Sequence, residues 1–204
     1  PLSADSLDVL AYVDSPLAMR KPVAYQEDFL TSYVPNQTNY LSPSLQRQLH
    51  QMGKTAQVKE PAGTYSRAIL NRLLIDLSWA SSHLEGNTYS RLDTVELIEH
   101  GTIAKGKDAL ETQMILNHKS AIELLVENIH TVGFDRYTIM NVHSALAENL
   151  LPNPAHEGRL RKHAVEIGLS VFRPLQNTML IEQMFDVMLN KANAIEDPFE
   201  QAFF

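Results

Sequence analysis

The sequence has no cysteine, which excludes disulfide bonds, thiolate nucleophiles and cysteine-ligated zinc. Basic residues are also few: 17 lysines and arginines against 24 aspartates and glutamates give a formal net charge of −7. A sequence-independent nucleic-acid binder needs a basic face, so we expect no direct nucleic-acid binding. No apolar run approaches the roughly 20 residues that cross a bilayer, so we expect no membrane segment.

The N-terminal stretch "PLSADSLDVL" is acidic and lacks the basic-then-apolar order of a signal peptide. We therefore expect a cytoplasmic protein. At 204 residues, 44% of them hydrophobic, the chain is long enough to bury one core, with or without an extension.

The common catalytic and metal-binding motifs are absent as well. There is no HExxH, no HxH, no calcium-loop acidic triplet and no G-x-S-x-G elbow, and "GTIAKGKD" lacks the Walker pattern. His118 and His143 lie on the apolar faces of their predicted helices, where a hydrogen-bonded core histidine is expected. We assign no metal ligands and no catalytic residues; a helical metal-dependent hydrolase stays as one alternative.

Helical periodicity is what the sequence does contain. Leu70, Leu73, Leu74 and Leu77 recur at three- and four-residue steps in the first strong segment. Gly86 is expected to end that helix in a left-handed cap, and Ser90 with Asp93 to begin the next as a capping box. We predict a mainly α fold, with helices at about 63–85, 90–100, 107–129, 136–151 and 179–194, and a sixth beginning at 197–198.

The first 43 residues hold five of the ten prolines and several polar stretches. They predict an irregular arm outside the core, residues 1–62, with short helices near 26–32 and 44–52. The helical region then covers 63–204.

One segment changes to the two-residue period of a strand. In "AVEIGLSVFRP", Val165, Ile167, Leu169 and Val171 alternate, and Gly168 allows a tight turn. We predict a small β-hairpin that ends at Pro174.

Glu85 is an anion in the last turn of the first strong helix, where the helix dipole disfavours it by some tenths of a kcal/mol up to about 1 kcal/mol. It follows Ser81 by four residues and directly precedes Gly86. On its own, Glu85 is expected to be an exposed glutamate that happens to end a helix. The alternative is a partly buried carboxylate that pairs bidentately with an arginine from elsewhere, which would offset that cost.

These residues resemble a known family. "SSHLEGNT" is similar to the inhibitory-helix motif [S/T]-x-x-x-E-[G/N] of Fic-domain proteins, with Ser81, Glu85 and Gly86 in its places and Asn87 next to it. "GRLRKHAVEIGLSVFRP", about 158–174, resembles the flap, the family's β-hairpin beside the active site. By this resemblance, the residues that dock the target are Ile167, Gly168, Leu169, Ser170, Val171 and Phe172.

The resemblance implies a Fic-like helical domain and AMPylation, the transfer of AMP from ATP to a hydroxyl side chain of a target protein, with Mg²⁺. It also implies that Glu85 pairs with the second arginine of the catalytic signature HxFx[D/E]GNGRxxR and blocks productive placement of the γ-phosphate. That signature is not in the sequence. We expect either that it lies beyond Phe204, so that the given sequence is a truncated Fic-like domain, or that the catalytic half has been lost. A second alternative is a non-catalytic module that inhibits a Fic partner in trans. A homo-oligomer is compatible with either.

Overall fold

The computed structural model describes residues 3–54 and 62–204, and this part of the chain is mainly helical. The first two residues and the last residues of the predicted arm, 55–61, lie outside it. No helix among the described residues combines the length and apolar character needed to cross a membrane. The helices are α1 (Ala4–Asp14), α2 (Glu27–Thr31), α3 (Pro43–Met52), α4 (Ala62–Leu84), α5 (Arg91–His100), α6 (Ala109–Glu127), α7 (Arg136–Ala147), α8 (Thr178–Ala194) and α9 (Pro198–Phe203). Two-residue strands are β1 (Val23–Ala24) and β2 (Phe172–Arg173), and short 3₁₀ helices are Leu17–Met19 and Pro154–His156.

The helix ends follow local sequence signals. Ser90 and Asp93 form the predicted capping box: the Ser90 hydroxyl accepts from the Asp93 N–H and the Asp93 carboxylate accepts from the Ser90 N–H. Gly101 ends α5 in the left-handed conformation, with φ of 68°. Asp197 caps α9 as predicted, with Pro198 at the first helical position.

Helices α4 to α7 form one packed group, in which α4 contacts α5 and α6, and α6 contacts α7. Tyr89, Leu97 and Ile115 are buried at its centre. The buried Asn117 side chain on α6 donates to the carbonyls of Leu146 and Glu148, which fixes α6 to the end of α7. One side of the turn between α4 and α5 therefore packs against this group of helices.

The N-terminal arm does contribute to a core, contrary to the prediction. Tyr33 and Leu41 are buried, α2 packs on α8, and α3 packs on α9. The Lys191 ammonium of α8 donates to the carbonyls of Leu30 and Thr31 at 2.9 and 2.8 Å, and also to that of Tyr33. The stretch is therefore held both by local hydrogen bonds, such as those from the Gln37 and Thr38 N–H groups to the Val34 carbonyl, and by contacts with the C-terminal helices.

Glu200 is the centre of this contact and is 1% exposed. Its carboxylate accepts from the backbone N–H groups of Tyr40 and Leu41 at 2.6 and 3.0 Å, from the Tyr33 hydroxyl at 3.1 Å, and from the Gln46 amide at 3.3 Å. Burial, followed by the hydrogen bond to Glu200, raises the pKa of Tyr33 to about 12. Tyr33 therefore stays a donor at every physiological pH.

The predicted β-hairpin over 158–174 does not form. β2 pairs in parallel with β1 of the arm, with Val23 opposite Phe172 and Ala24 opposite Arg173. Upstream of β2 the chain turns, with the Ser170 N–H donating to the Ile167 carbonyl, and Leu169 takes a left-handed φ of 57°. None of the alternating residues Val165, Ile167, Leu169 and Val171 lies in β2, and the partner strand comes from the distant arm instead of from the same segment.

Candidate functional site

The turn between α4 and α5 holds the residues of the predicted inhibitory motif. The helix ends at Leu84, and the Glu85 N–H still donates to the Ser81 carbonyl at 3.3 Å. Gly86 takes a φ of 90°, which only glycine adopts without strain, and its N–H donates to the His83 carbonyl. The Asn87 N–H then returns to the Ser82 carbonyl at 3.0 Å, which closes the helix end.

Glu85 is exposed on this turn, not partly buried. Among the residues that the structure describes, none forms an ion pair with its carboxylate. Ser81, one turn earlier, is partly buried. The structure therefore places an anion at a helix C-terminus on the surface, with no cation from the described chain beside it.

Asn87 is buried and fixes the turn to the packed helices. Its amide donates to the Glu111 carbonyl at 2.7 Å, while its amide oxygen accepts from the Tyr89 N–H at 2.9 Å. Both ends of the side chain are thus used internally. Asn87 holds the backbone on which Glu85 is presented, and its side chain is not turned to solvent.

Glu111 on α6 is a second anchor, which the sequence analysis missed. Its carboxylate accepts from the Thr88 hydroxyl at 2.6 Å, the Thr88 N–H at 2.7 Å and the Asp108 N–H at 3.1 Å. These hydrogen bonds, led by the Thr88 hydroxyl, hold the pKa of Glu111 below its usual range. Asp108 and Glu111 form a capping box, so the D-x-x-E pattern was a local signal for this residue.

Lys107 and Trp79 complete the support of the turn. The Lys107 ammonium donates to the Thr88 carbonyl at 2.5 Å and to its hydroxyl at 2.9 Å. The Trp79 indole N–H donates to the Tyr89 carbonyl at 3.1 Å, and its ring stacks on His83 with centroids 5.6 Å apart. The residues flanking Glu85 are consequently held by α4, α6 and the segment before α6.

Ser82, near the end of α4, contacts His118 of α6. Ser82 is buried, and its hydroxyl lies 3.3 Å from Nδ1 of His118, which is itself 2.9 Å from the Met114 carbonyl. His118 is thus a partly buried, hydrogen-bonded histidine, as predicted for it. His143, by contrast, is exposed, contrary to the prediction of a core histidine.

The residues predicted to dock a target lie in the turn before β2 and at its start. Ile167 is 52% exposed and Leu169 is 92% exposed, and Gly168 and Ser170 are also exposed. Val171 and Phe172 are partly buried, and the Val171 carbonyl accepts from the Val23 N–H at 3.2 Å. An open cavity of about 500 Å³ adjoins this turn. The segment therefore offers apolar side chains to solvent beside a short strand that has one partner in the described sheet.

In the described residues, no cluster of three or more histidine, aspartate or glutamate side chains is arranged to hold a metal ion. The metal-dependent hydrolase alternative therefore has no candidate centre in this part of the chain.

Comparisons with protein-family models, with curated proteins and with solved structures found no match for the chain.

Proposed function

We propose that the chain is the autoinhibitory and flap-bearing part of a Fic-type protein adenylyltransferase, which transfers AMP from ATP to a hydroxyl side chain of a target protein. The observation that carries the proposal is the position of Glu85 and the absence of an ion-pair partner for its carboxylate among the described residues. Glu85 follows Ser81 by one helical turn, precedes a left-handed Gly86, is exposed, and has no ion-pair partner among the described residues.

The turn suits a carboxylate that must meet an arginine in a fixed geometry. Asn87 and Glu111 hold the backbone that follows Gly86, and the last turn of α4 holds the backbone before it, so little backbone freedom is lost when Glu85 binds. A guanidinium that bound it bidentately would also offset the unfavourable dipole of the helix end. In the proposed enzyme that guanidinium is the second arginine of the signature motif, and the pair excludes productive placement of the ATP γ-phosphate.

ATP and Mg²⁺ belong to the signature in this proposal, and no residue of the present sequence is assigned to catalysis. Residues 167–172 resemble the flap in sequence, although the hairpin does not form, and they are proposed to position the target segment next to the nucleotide. Exposed apolar side chains at Ile167 and Leu169, beside a strand with one partner in the described sheet, support that role.

The first experiment measures AMP transfer from α-labelled ATP by a chain that contains both these residues and the signature. Glu85→Ala should raise the rate about 10- to 100-fold, because a charge-assisted pair contributes about 1.5–3 kcal/mol to the inhibited state. Glu99→Ala is the matched control, since Glu99 is also an exposed glutamate in a last helical turn before a left-handed glycine. Equal rates for the two variants across several ATP concentrations would contradict the proposal.

The second experiment separates inhibition within one chain from inhibition in trans. The 204-residue chain is added to a signature-bearing Fic protein whose own inhibitory glutamate has been replaced. Inhibition that disappears with Glu85→Ala would assign the chain to the trans-acting module. If the chain has no effect at any ratio, while Glu85→Ala activates the longer chain, the inhibition is intramolecular.

A further inference from the structure

A surface pocket of about 380 Å³ opens between the end of α7 and the segment that follows it. Its lining is cationic and polar: His143, Asn153, His156, Arg159, Arg161 and His163. No aspartate or glutamate is among the described residues that line it. In a chain with a formal net charge of −7, such a concentration of basic side chains is a local exception.

The two arginines provide permanent positive charge. The Arg161 guanidinium donates to the His163 carbonyl at 3.2 Å and also to the Leu175 carbonyl, which fixes its orientation. No carboxylate of the described chain pairs with Arg159 or Arg161. Glu157, the acidic residue closest in sequence, instead accepts a hydrogen bond from the Asn149 N–H at 3.2 Å. Charged donors therefore remain for a ligand.

The histidines add donors at fixed positions. Nδ1 of His143 accepts from the Gly158 N–H at 2.9 Å, so in the neutral ring the proton is on Nε2. Gly158 has a φ of 63°, and a Cβ there would come within 3.0 Å of the Met140 carbonyl, so only glycine brings this N–H to His143. The imidazoles of His156 and His163 stack with centroids 4.8 Å apart. The Asn153 amide donates to Nε2 of His156 at 3.3 Å, so in the neutral ring it is Nδ1–H that can donate to a ligand.

The stacked pair favours an anionic ligand over a cation. Protonation of both rings would place two positive charges about 4.8 Å apart, at the distance between the ring centroids. An anion bound between these rings and the arginines would offset their repulsion. A metal cation would meet two guanidinium groups, and the described residues hold no cluster of three suitable ligands. The chemistry of the pocket thus matches an oxyanion that accepts several hydrogen bonds.

We propose that this pocket binds a small soluble phosphate-bearing anion, a phosphate monoester or pyrophosphate. Arg159 and Arg161 bind the phosphate oxygens, and His143 Nε2–H with the His156–His163 pair completes the set of donors. Leu151 and Pro152 form an apolar wall of the same pocket, which would contact the organic group of a monoester. Arg159, Arg161 and His163 lie in the segment 158–174 that resembles the flap, but the pocket includes neither Glu85 nor the residues 167–172 proposed to dock a target.

Isothermal titration calorimetry with the 204-residue chain tests the proposal, with pyrophosphate and phenyl phosphate as ligands. Arg159→Gln should weaken pyrophosphate binding about 10-fold or more. Lys162→Gln is the matched control, because Lys162 is exposed and carries the same charge but does not line the pocket. Phenyl phosphate adds an apolar ring to the anion, and an affinity higher than that of inorganic phosphate would support contact with Leu151 and Pro152.

A pH series identifies the contribution of the histidines. Sulfate is the probe, because phosphate itself titrates in the relevant range and sulfate does not. Histidine generally gains its charge below about pH 6.5, so sulfate should bind several-fold more tightly at about pH 6 than at about pH 8. His156→Gln should reduce that difference while circular dichroism shows an unchanged helical content.

Three results would overturn the proposal: no saturable binding of either phosphate ligand, equal affinities for Arg159→Gln and Lys162→Gln, or sulfate binding that is independent of pH. None of them bears on AMP transfer, and loss of the Glu85 effect would not bear on this pocket.

Discussion

Glu200 provides the most direct test of how the arm is held. Replacing it with glutamine preserves its size but removes its charge and one of its two acceptor oxygens. The two backbone N–H groups of Tyr40 and Leu41 point at different oxygens of the carboxylate, at 2.6 and 3.0 Å. In either orientation of the glutamine amide, one N–H therefore faces an NH₂ group and loses its acceptor.

The cost follows from these contacts. In the glutamine variant one backbone N–H and one side-chain donor, the Tyr33 hydroxyl or the Gln46 amide, lose their acceptor. Because Glu200 is 1% exposed, this loss costs about 2–4 kcal/mol. For a chain of this size that lowers the melting temperature by about 4–16 °C. Urea unfolding followed by circular dichroism measures the free energy directly.

Glu196→Gln is the matched control, because Glu196 is exposed and lies four residues earlier. It should change the free energy of unfolding by less than about 0.5 kcal/mol. If Glu200→Gln were as stable as Glu196→Gln, the carboxylate would not hold the arm.

The pH dependence of stability has a definite sign. Burial raises the pKa of Glu200, but the hydrogen bonds from Tyr40, Leu41, Tyr33 and Gln46 together lower it more, so it lies below its ordinary value. The folded state then binds this proton less readily than the unfolded state. Its contribution to stability is complete above the ordinary glutamate pKa and is lost as the pH falls through the lower, folded value. Between about pH 5 and about pH 3 the wild type should lose stability more steeply than Glu200→Gln; parallel curves would refute this.

Two further predictions concern the turn after α4 and the flap. Gly86→Ala should cost about 1–2 kcal/mol, purely from its φ of 90°, because an added Cβ meets no atom within 4 Å. Gly168→Ala, equally unobstructed but without a positive φ, should be neutral or slightly stabilising in the same urea titration, and similar costs at both sites would contradict the strain argument. Val171→Pro, in a chain with the signature, should lower modification of an identified target about 10-fold, because it removes an N–H beside β2. Leu169→Ala retains that backbone group, so the comparison separates the backbone contribution from that of the exposed side chain. Unchanged modification with Val171→Pro would end the docking hypothesis.

The features predicted correctly from the sequence are the ones that neighbouring residues determine. Ser90 and Asp93 are three residues apart, and the capping box forms. Gly86 comes two residues after the last residue of α4 and takes the predicted positive φ. In these cases the chemistry that ends or begins a helix lies within one turn of the residue.

The features missed depend on partners far along the chain. Glu200 binds Tyr40 and Leu41 across 160 and 159 residues, and no local pattern distinguishes it from an exposed glutamate in an amphipathic helix. The strand Phe172–Arg173 finds its partner at Val23–Ala24, so the prediction that the segment ending at Pro174 forms a β-hairpin by itself was wrong. The position of Glu85 was predicted from its spacing, but its exposure depends on how α4 and α6 pack, which spacing does not encode.

The contact between the arm and the C-terminal helices has a consequence for biosynthesis. Tyr33 and Leu41 leave the ribosome long before Glu200, which the Tyr40 N–H contacts across 160 residues. At about 5–20 residues per second, that separation amounts to roughly 8–32 s of translation. During this interval the arm has no Glu200 to accept its N–H groups and no Lys191 to bind its carbonyls, so its aromatic side chains are accessible to chaperones. The arm is thus made well before the helices that hold it, and it reaches its native contacts only after those helices have been made.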